Sequence, residues 1–207
     1  MDLFVWNNAT YLLVVDYYSR YPEMSKLPGS TSSKTVIMHL KSIFARHGVP
    51  ETVISDNGPQ FASEDFKNFA AEYGFVHTTS SPRYPQSNGA IERCVQTIKA
   101  RLTKSKDPYI GILEYRATPL FNRYSPSQLL MGRQIRTTLP VHPSRLEPQW
   151  PDFDQVREKE REYKGQMKKN FDQRHRVKEL SQLNQGDRVM VRDTMFRANG
   201  TLLVHIG

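Results

Sequence analysis

The sequence predicts an α/β fold built on a mixed sheet of five strands flanked by helices. Two observations carry the expectation. Three short runs of β-branched and aromatic residues open the chain as a meander, and strand-like and helix-like segments then alternate, the pattern of an α/β layer. The composition allows one well-filled core: 207 residues, 38% hydrophobic, with 10 Phe, 10 Tyr and 2 Trp. A wholly disordered chain is thereby excluded. The length corresponds to one full domain with an appendage, or to two small ones.

The elements follow in order. Asp2 to Trp6, Tyr11 to Tyr18 and Tyr21 to Leu27 read as an antiparallel meander broken at Asn7-Asn8 and Ser19-Arg20. After Ser32-Ser33, the apolar Val36, Ile37, Leu40, Ile43 and Phe44 recur at helical spacing, and Gly48 closes the helix. Val53 to Asp56 is a short strand stopped by Asn57-Gly58-Pro59. Ser63 caps a helix bearing Phe66, Phe69, Ala70 and Tyr73, closed by Gly74, and Phe75 to Thr79 is a fifth strand. Ser81 to Gly89 is a loop of turn formers. The next helix, about residues 90–104, sets Ile91, Val95, Ile98 and Leu102 on one face, and a further helix covers Tyr109 to Arg116.

The Pro-rich stretch 118–151 reads as irregular packing followed by a linker. Residues 153–179 form a long charged helix with few apolar anchors (Val156, Tyr163, Met167, Phe171), the pattern of a solvated spacer. Gln185-Gly186-Asp187 turns into an alternating strand at 188–192, and 201–206 offers another. Two strands cannot bury a core alone, so a further module begins there without being completed. The expected organisation is therefore a core at 1–145, a linker and charged helix at 146–180, and an incomplete module at 181–207.

Charge and cysteine usage narrow the function classes. The net charge is +8 and the pI near 9.6, an excess that favours a nucleic-acid partner without requiring one. No apolar run is long enough to span a bilayer, and the first residues lack the basic and apolar regions of a signal peptide. The lone Cys94 excludes an internal disulfide and a Cys-based zinc finger, and the six His show no zinc-ligand spacing. A basic intracellular protein without zinc in this stretch is expected.

Two carboxylates stand where chemistry is usually placed. Asp56 ends a strand before Asn-Gly, and Glu92 lies in the first turn of the helix after a Gly-ending loop. Carboxylates at the tops of different elements can converge on a pair of divalent cations, which need hard oxygen ligands. Each also has an ordinary reading. An Asp before Asn-Gly commonly makes the turn, and a Glu in a first turn favours the helix dipole.

The stretches Val53-Ile54-Ser55-Asp56-Asn57-Gly58-Pro59-Gln60-Phe61 and Ser81-Pro82-Arg83-Tyr84-Pro85-Gln86-Ser87-Asn88-Gly89-Ala90-Ile91-Glu92-Arg93 resemble the catalytic core of retroviral and Gypsy-type LTR-retrotransposon integrases. That family carries two Asp and one Glu with thirty-five residues between the second and third, the separation of Asp56 from Glu92. The resemblance covers about residues 2–145, and Gln185 to Arg192 resembles the opening strand of the small β-barrel that follows such cores. It implies a ribonuclease-H-like fold and a polynucleotidyl transferase that trims element DNA 3′ ends and joins them to target DNA. Asp2, Asp56 and Glu92 would hold two Mg²⁺ or Mn²⁺ ions.

The first carboxylate has two candidates. Family register puts it on the first strand, at Asp2 rather than Asp16; strand physics does not decide between them, and Asp16 is suited to organising the turn to Ser19. The resemblance also implies DNA contacts from Gln96 and Lys99, which share the helix face of Glu92 opposite Val95, Ile98 and Leu102. Tyr84 and Gln86 are candidates to stack on or hydrogen-bond an unpaired nucleotide. Further implications are a homo-oligomer, no membrane, action in the nucleus on chromosomal DNA, and, with Asp2 standing second, a fragment of a larger polyprotein without the family's N-terminal zinc domain. The alternatives are an inactive nucleic-acid-binding relic, a transposase or nuclease of the same fold, or a protein-interaction scaffold using the charged helix.

Overall fold

The computed structural model describes residues 1–79, 89–105 and 107–175, without the side chains of 89–92 and 175. Most of the 81–89 loop and the strands expected at 188–192 and 201–206, with the small barrel they would open, lie outside the described residues.

Strands β1 (Asp2–Trp6) and β2 (Ala9–Val15) form a hairpin turned by Asn7 and Asn8 at φ 45° and 58°. Two successive left-handed residues give the turn whose twist matches its strands, and Asn tolerates that conformation. Strand β3 (Pro22–Lys26) completes the antiparallel meander, with Leu13 of β2 opposite both Asp2 and Met24. Strands β4 (Thr52–Ser55) and β5 (Val76–Thr79) pair in parallel, joined through helix α2 (Glu64–Tyr73).

The five strands are thus present, but their ladders form a three-stranded and a two-stranded sheet rather than one continuous sheet. Between them, Met1, the residue before β1, donates its nitrogen to Ile54 O at 2.6 Å, and among the described residues no β1–β4 ladder forms.

Helix α1 (Ser33–His47) is capped by Ser32, whose hydroxyl accepts from Thr35 N, and α2 by Ser63 accepting from Phe66 N. Gly74 ends α2 at φ 73°, a left-handed position that costs a side-chain-bearing residue energy. Helices α3 (Gly89–Lys104) and α4 (Pro108–Ala117) follow. The sheet buries both faces. Leu3, Leu12 and Val14 pack with α1 and α2 around Phe44, Phe66 and Phe69, while Phe4, Leu13 and Val15 pack with α3 and α4 around Ile98, Leu102 and Tyr115. Alternate residues of a strand point to opposite faces, so Asp2 shares the α3 side with Phe4.

Two expectations are corrected. The 118–151 stretch contains a helix, α5 (Pro126–Met131), fixed by a reciprocal capping box between Ser125 and Gln128 and closed by Gly132. That Ser-x-x-Gln signature was legible in the sequence. Gly132, at φ 68°, also lies under Trp150, whose ring carbons come within 2.8 Å of where a Cβ would stand. A single 3₁₀ turn spans Pro143–Leu146. Helix α6 (Phe153–His175) exists as expected, but its start is not a solvated spacer: Val156 is 1% exposed. The first compact unit runs from Met1 to Glu160 and so takes in the beginning of α6; a second unit begins at Arg161, and its described part, 161–175, is charged and largely exposed helix.

Glu160 is held by Arg20, a buried arginine at φ 60° in the β2–β3 turn, with Nη2 3.8 Å from Glu160 Oε1. Arg20 also donates to Tyr17 O and lies over the Tyr17 ring. Arg20 is buried and Glu160 partly so, and the two meet at 3.8 Å without a hydrogen bond to Glu160 Oε1. Arg20→Met should lower unfolding stability by about 1 kcal/mol in urea denaturation, and adding Glu160→Gln should recover part of the loss. Equal losses in single and double variants would show that the pair is not coupled.

Candidate active site

A cavity of about 680 Å³ lies against the ends of β1, β2 and β4. Its wall includes Asp2 and Asp56, from two strands with different neighbours, together with Gln96 and Lys99 of α3. Asp2, Asp56, Gln96 and Lys99, all singled out in the sequence, therefore line one concave surface, as does the alternative Asp16. Glu92 lies on α3 four residues before Gln96, on the same helical face by periodicity; its side chain, and all of Tyr84 and Gln86, lie outside the described residues.

Each side chain is positioned by local structure. Asp2 is the first residue of β1, locked in register opposite Leu13, and is partly exposed. Asp56 follows the last residue of β4, and its Oδ1 accepts from Gly58 N at 3.2 Å, pinning the Asn57-Gly58 turn. Its backbone carbonyl accepts from the hydroxyl of the buried Ser55 at 2.7 Å. Ser55 Oγ also meets His77 Nε2 at 2.9 Å. The hydroxyl hydrogen is spent on Asp56 O, so His77 is the donor in that contact. A sequence reading that stopped at Asp56 missed this support, although Ser55 is its immediate neighbour.

The electrostatics are opposite to those of the chain as a whole. Asp2, Asp16, Glu23 and Asp56 all line the cavity, facing Lys99, His47 and the Met1 amino group. Burial holds that amino group below its usual pKa, while Asp2 and Asp56 pull it upward, so both carboxylates lie within electrostatic reach of one point. Lys99 Nζ sits 2.6 Å from Asp2 Oδ2 and 5.5 Å from the centre of the Phe4 ring. The lysine read as a phosphate ligand is here the counter-ion of Asp2. Asp16 does different work: its Oδ2 accepts from both Ser19 N and Ser19 Oγ, at 2.7 and 2.6 Å, which builds the β2–β3 turn. Glu23 accepts from His47 at 2.7 Å and pairs with Arg46 and Arg116 at 3.4 and 3.2 Å. Among the described residues, Asp2 pairs with Lys99 and Asp56 with the Gly58 N–H.

Hard oxygen donors from carboxylates on separate elements fit Mg²⁺ or Mn²⁺. Among the described residues no cluster of three His, Cys, Asp or Glu side chains forms, and Asp2 and Asp56 are both on the cavity wall. Cys94 is not a candidate ligand. It is buried against Tyr115, Sγ to Oη 2.9 Å, and burial pushes both pKa values up, so neither group ionises readily.

Comparison with known proteins follows the same lines. Residues 1–85 match the family described as Integrase core domain. An uncharacterized protein of Caenorhabditis elegans is 42% identical over 143 residues, covering 64% of this chain and 11% of that protein. The Gag-Pol polyprotein of Walleye dermal sarcoma virus is 28% identical over 150 residues, 67% of this chain and 8% of that one. The chain thus spans about a tenth of the length of these curated relatives. Among solved structures, the catalytic core domain of BIV integrase aligns with a TM-score of 0.55 at 23% identity, covering 63% of this chain and 91% of that one. A chain of the simian T-cell lymphotropic virus intasome in complex with PP2A regulatory subunit B56 gamma also aligns at 0.55, with 22% identity over 68% of this chain and 55% of that one. The α/β fold is that of retroviral integrase cores, and the sequence is similar to the Integrase core domain family over residues 1–85 and to a retroviral Gag-Pol polyprotein.

Burial lowers the pKa of His77, and the nearby amino terminus lowers it further. The folded state therefore resists a proton that the unfolded chain accepts near pH 6.5. Stability from this residue is present above that pH and is lost as the pH falls through it toward the folded value. The urea midpoint should drop between pH 7.5 and 5, and His77→Gln should flatten part of the drop. Identical profiles would show that His77 contributes nothing to the pH dependence.

Proposed function

We propose that this chain, whose first 85 residues match an integrase core, is the catalytic part of a polynucleotidyl transferase that integrates DNA. It would cleave element DNA ends and join the 3′ hydroxyls to target DNA. The observation that carries the reading is that Asp2, at the start of β1, and Asp56, just after β4, line one cavity whose wall also carries Gln96 and Lys99.

Asp2, Asp56 and Glu92 would hold Mg²⁺ or Mn²⁺. The ions would supply activation of the attacking oxygen and stabilisation of the leaving oxygen in an in-line displacement. The chain's own residues do the positioning. Register with Leu13 fixes Asp2, and the Ser55–His77 pair together with the Gly58 N–H fixes Asp56. The α3 face presents Gln96 and Lys99 to the scissile strand, and Tyr84 and Gln86 would contact an unpaired end nucleotide. In this reading the Met1–Ile54 bond is one rung of a single five-stranded ribonuclease-H-like sheet. Residues 1–145 are the catalytic core, 146–180 a linker and charged helix, and 181–207 the start of a small β-barrel. The enzyme acts in the nucleus, as a multimer that brings two DNA ends together.

Carboxylates gathered at one site repel one another, and a cation bound only to the folded state relieves that repulsion and raises stability. Millimolar Mn²⁺ should raise the melting temperature of the chain but not of Asp56→Asn. Glu92→Gln should abolish metal-dependent cleavage and strand transfer while still binding DNA. A metal shift of equal size in Asp56→Asn would sink the shared site.

A further inference from the structure

We propose that Lys99 is an exchangeable counter-ion that couples metal binding to DNA binding. It is bound to Asp2 when the metal is absent and released to a DNA phosphate when the metal arrives. The inference rests on the metal reading of the Asp2–Asp56 site and deepens it.

Three observations carry it. First, Lys99 Nζ is 2.6 Å from Asp2 Oδ2. A divalent cation on the same carboxylate repels the ammonium and withdraws the negative charge that holds it, so metal and lysine compete for Asp2. Second, the two partners are unequally fixed. Asp2 is tied into the β1–β2 ladder, whereas Lys99 reaches it on a four-carbon stem whose Nζ lies 5.5 Å from the centre of the Phe4 ring. The pair is 35% and 31% exposed, so water can receive the ammonium when it leaves. Third, Lys99 shares the cavity wall with Gln96 and Asp56. An ammonium released from Asp2 thus stays tethered within a side chain's length of any phosphodiester held at the carboxylates.

The exchange has a thermodynamic signature, because coupling between two ligands is reciprocal. Without metal, Lys99 is spent on Asp2 and makes no phosphate contact. With metal, it is available, and DNA binding gains one contact.

The test compares the chain with Lys99→Met, which keeps an unbranched side chain and removes the charge, and with Lys99→Arg, which keeps the charge. In Mn²⁺ titration calorimetry without DNA, Lys99→Met should bind metal up to about fivefold more tightly, the effect expected of a partly exposed ion pair. Lys99→Arg should bind no more tightly than the unaltered chain. In DNA titrations at several salt concentrations, adding Mn²⁺ should steepen the slope of log K against log salt by about 0.9 more in the unaltered chain than in Lys99→Met. Equal metal affinities in the unaltered chain and Lys99→Met, tightening in Lys99→Arg as well, or the same salt slopes would each overturn the exchange. Absence of binding heat in all three proteins would instead overturn the metal reading beneath it.

Discussion

Strand β2 is buried on both faces, and much of the site's geometry depends on that constraint. Leu12 and Leu13 are adjacent in sequence and both fully buried, one in the core under α1 and α2, the other in the core under α3 and α4. A shift of register by a single residue would exchange the two faces, so the hairpin partner β1 has no freedom to slide. With Leu13 opposite Asp2, the carboxylate must emerge on the α3 side. Its meeting with Lys99 is therefore a consequence of hydrophobic packing before it is an electrostatic one.

Electrostatics then work against the general character of the chain. A molecule with a net charge of +8 lines its cavity with four carboxylates. Two of them are occupied by internal structure: Glu23 by His47, Arg46 and Arg116, and Asp16 by the turn at Ser19. Among the described residues Asp2 is countered by Lys99 and Asp56 accepts from the Gly58 N–H. A basic exterior draws a polyanion, while carboxylates with few fixed partners retain affinity for a cation.

The legible parts of the sequence were those with short-range causes. Ser32 and Ser63 announced helix starts, and Gly48 and Gly74 the ends, because caps and left-handed residues act within one turn. Asn7-Asn8 announced the hairpin for the same reason. The less legible parts have long-range causes. The start of α6 is a run of charge with one valine of consequence, and only the buried Arg20 of a distant turn makes Glu160 an anchor. The expectation of one five-stranded sheet went beyond the ladders observed, because strand content is local whereas pairing between β1 and β4 depends on how much of each lies side by side. Helix α5 is a different case, since its capping box was present in the sequence and a Pro-rich surrounding masked it.

The sequence by itself determined the class of fold, the order of its elements, the spacing of Asp56 and Glu92, and the helix face that Glu92 shares with Gln96 and Lys99. These follow from periodicity and residue type, which operate over a few positions. Only the tertiary structure decided that Asp2 and Asp56 share a cavity, that Asp16 is engaged in a turn, and that Lys99 is paired with a carboxylate ninety-seven residues away in sequence. Such contacts are set by which apolar faces bury together, and an ion pair between distant segments leaves no mark in the local pattern of either.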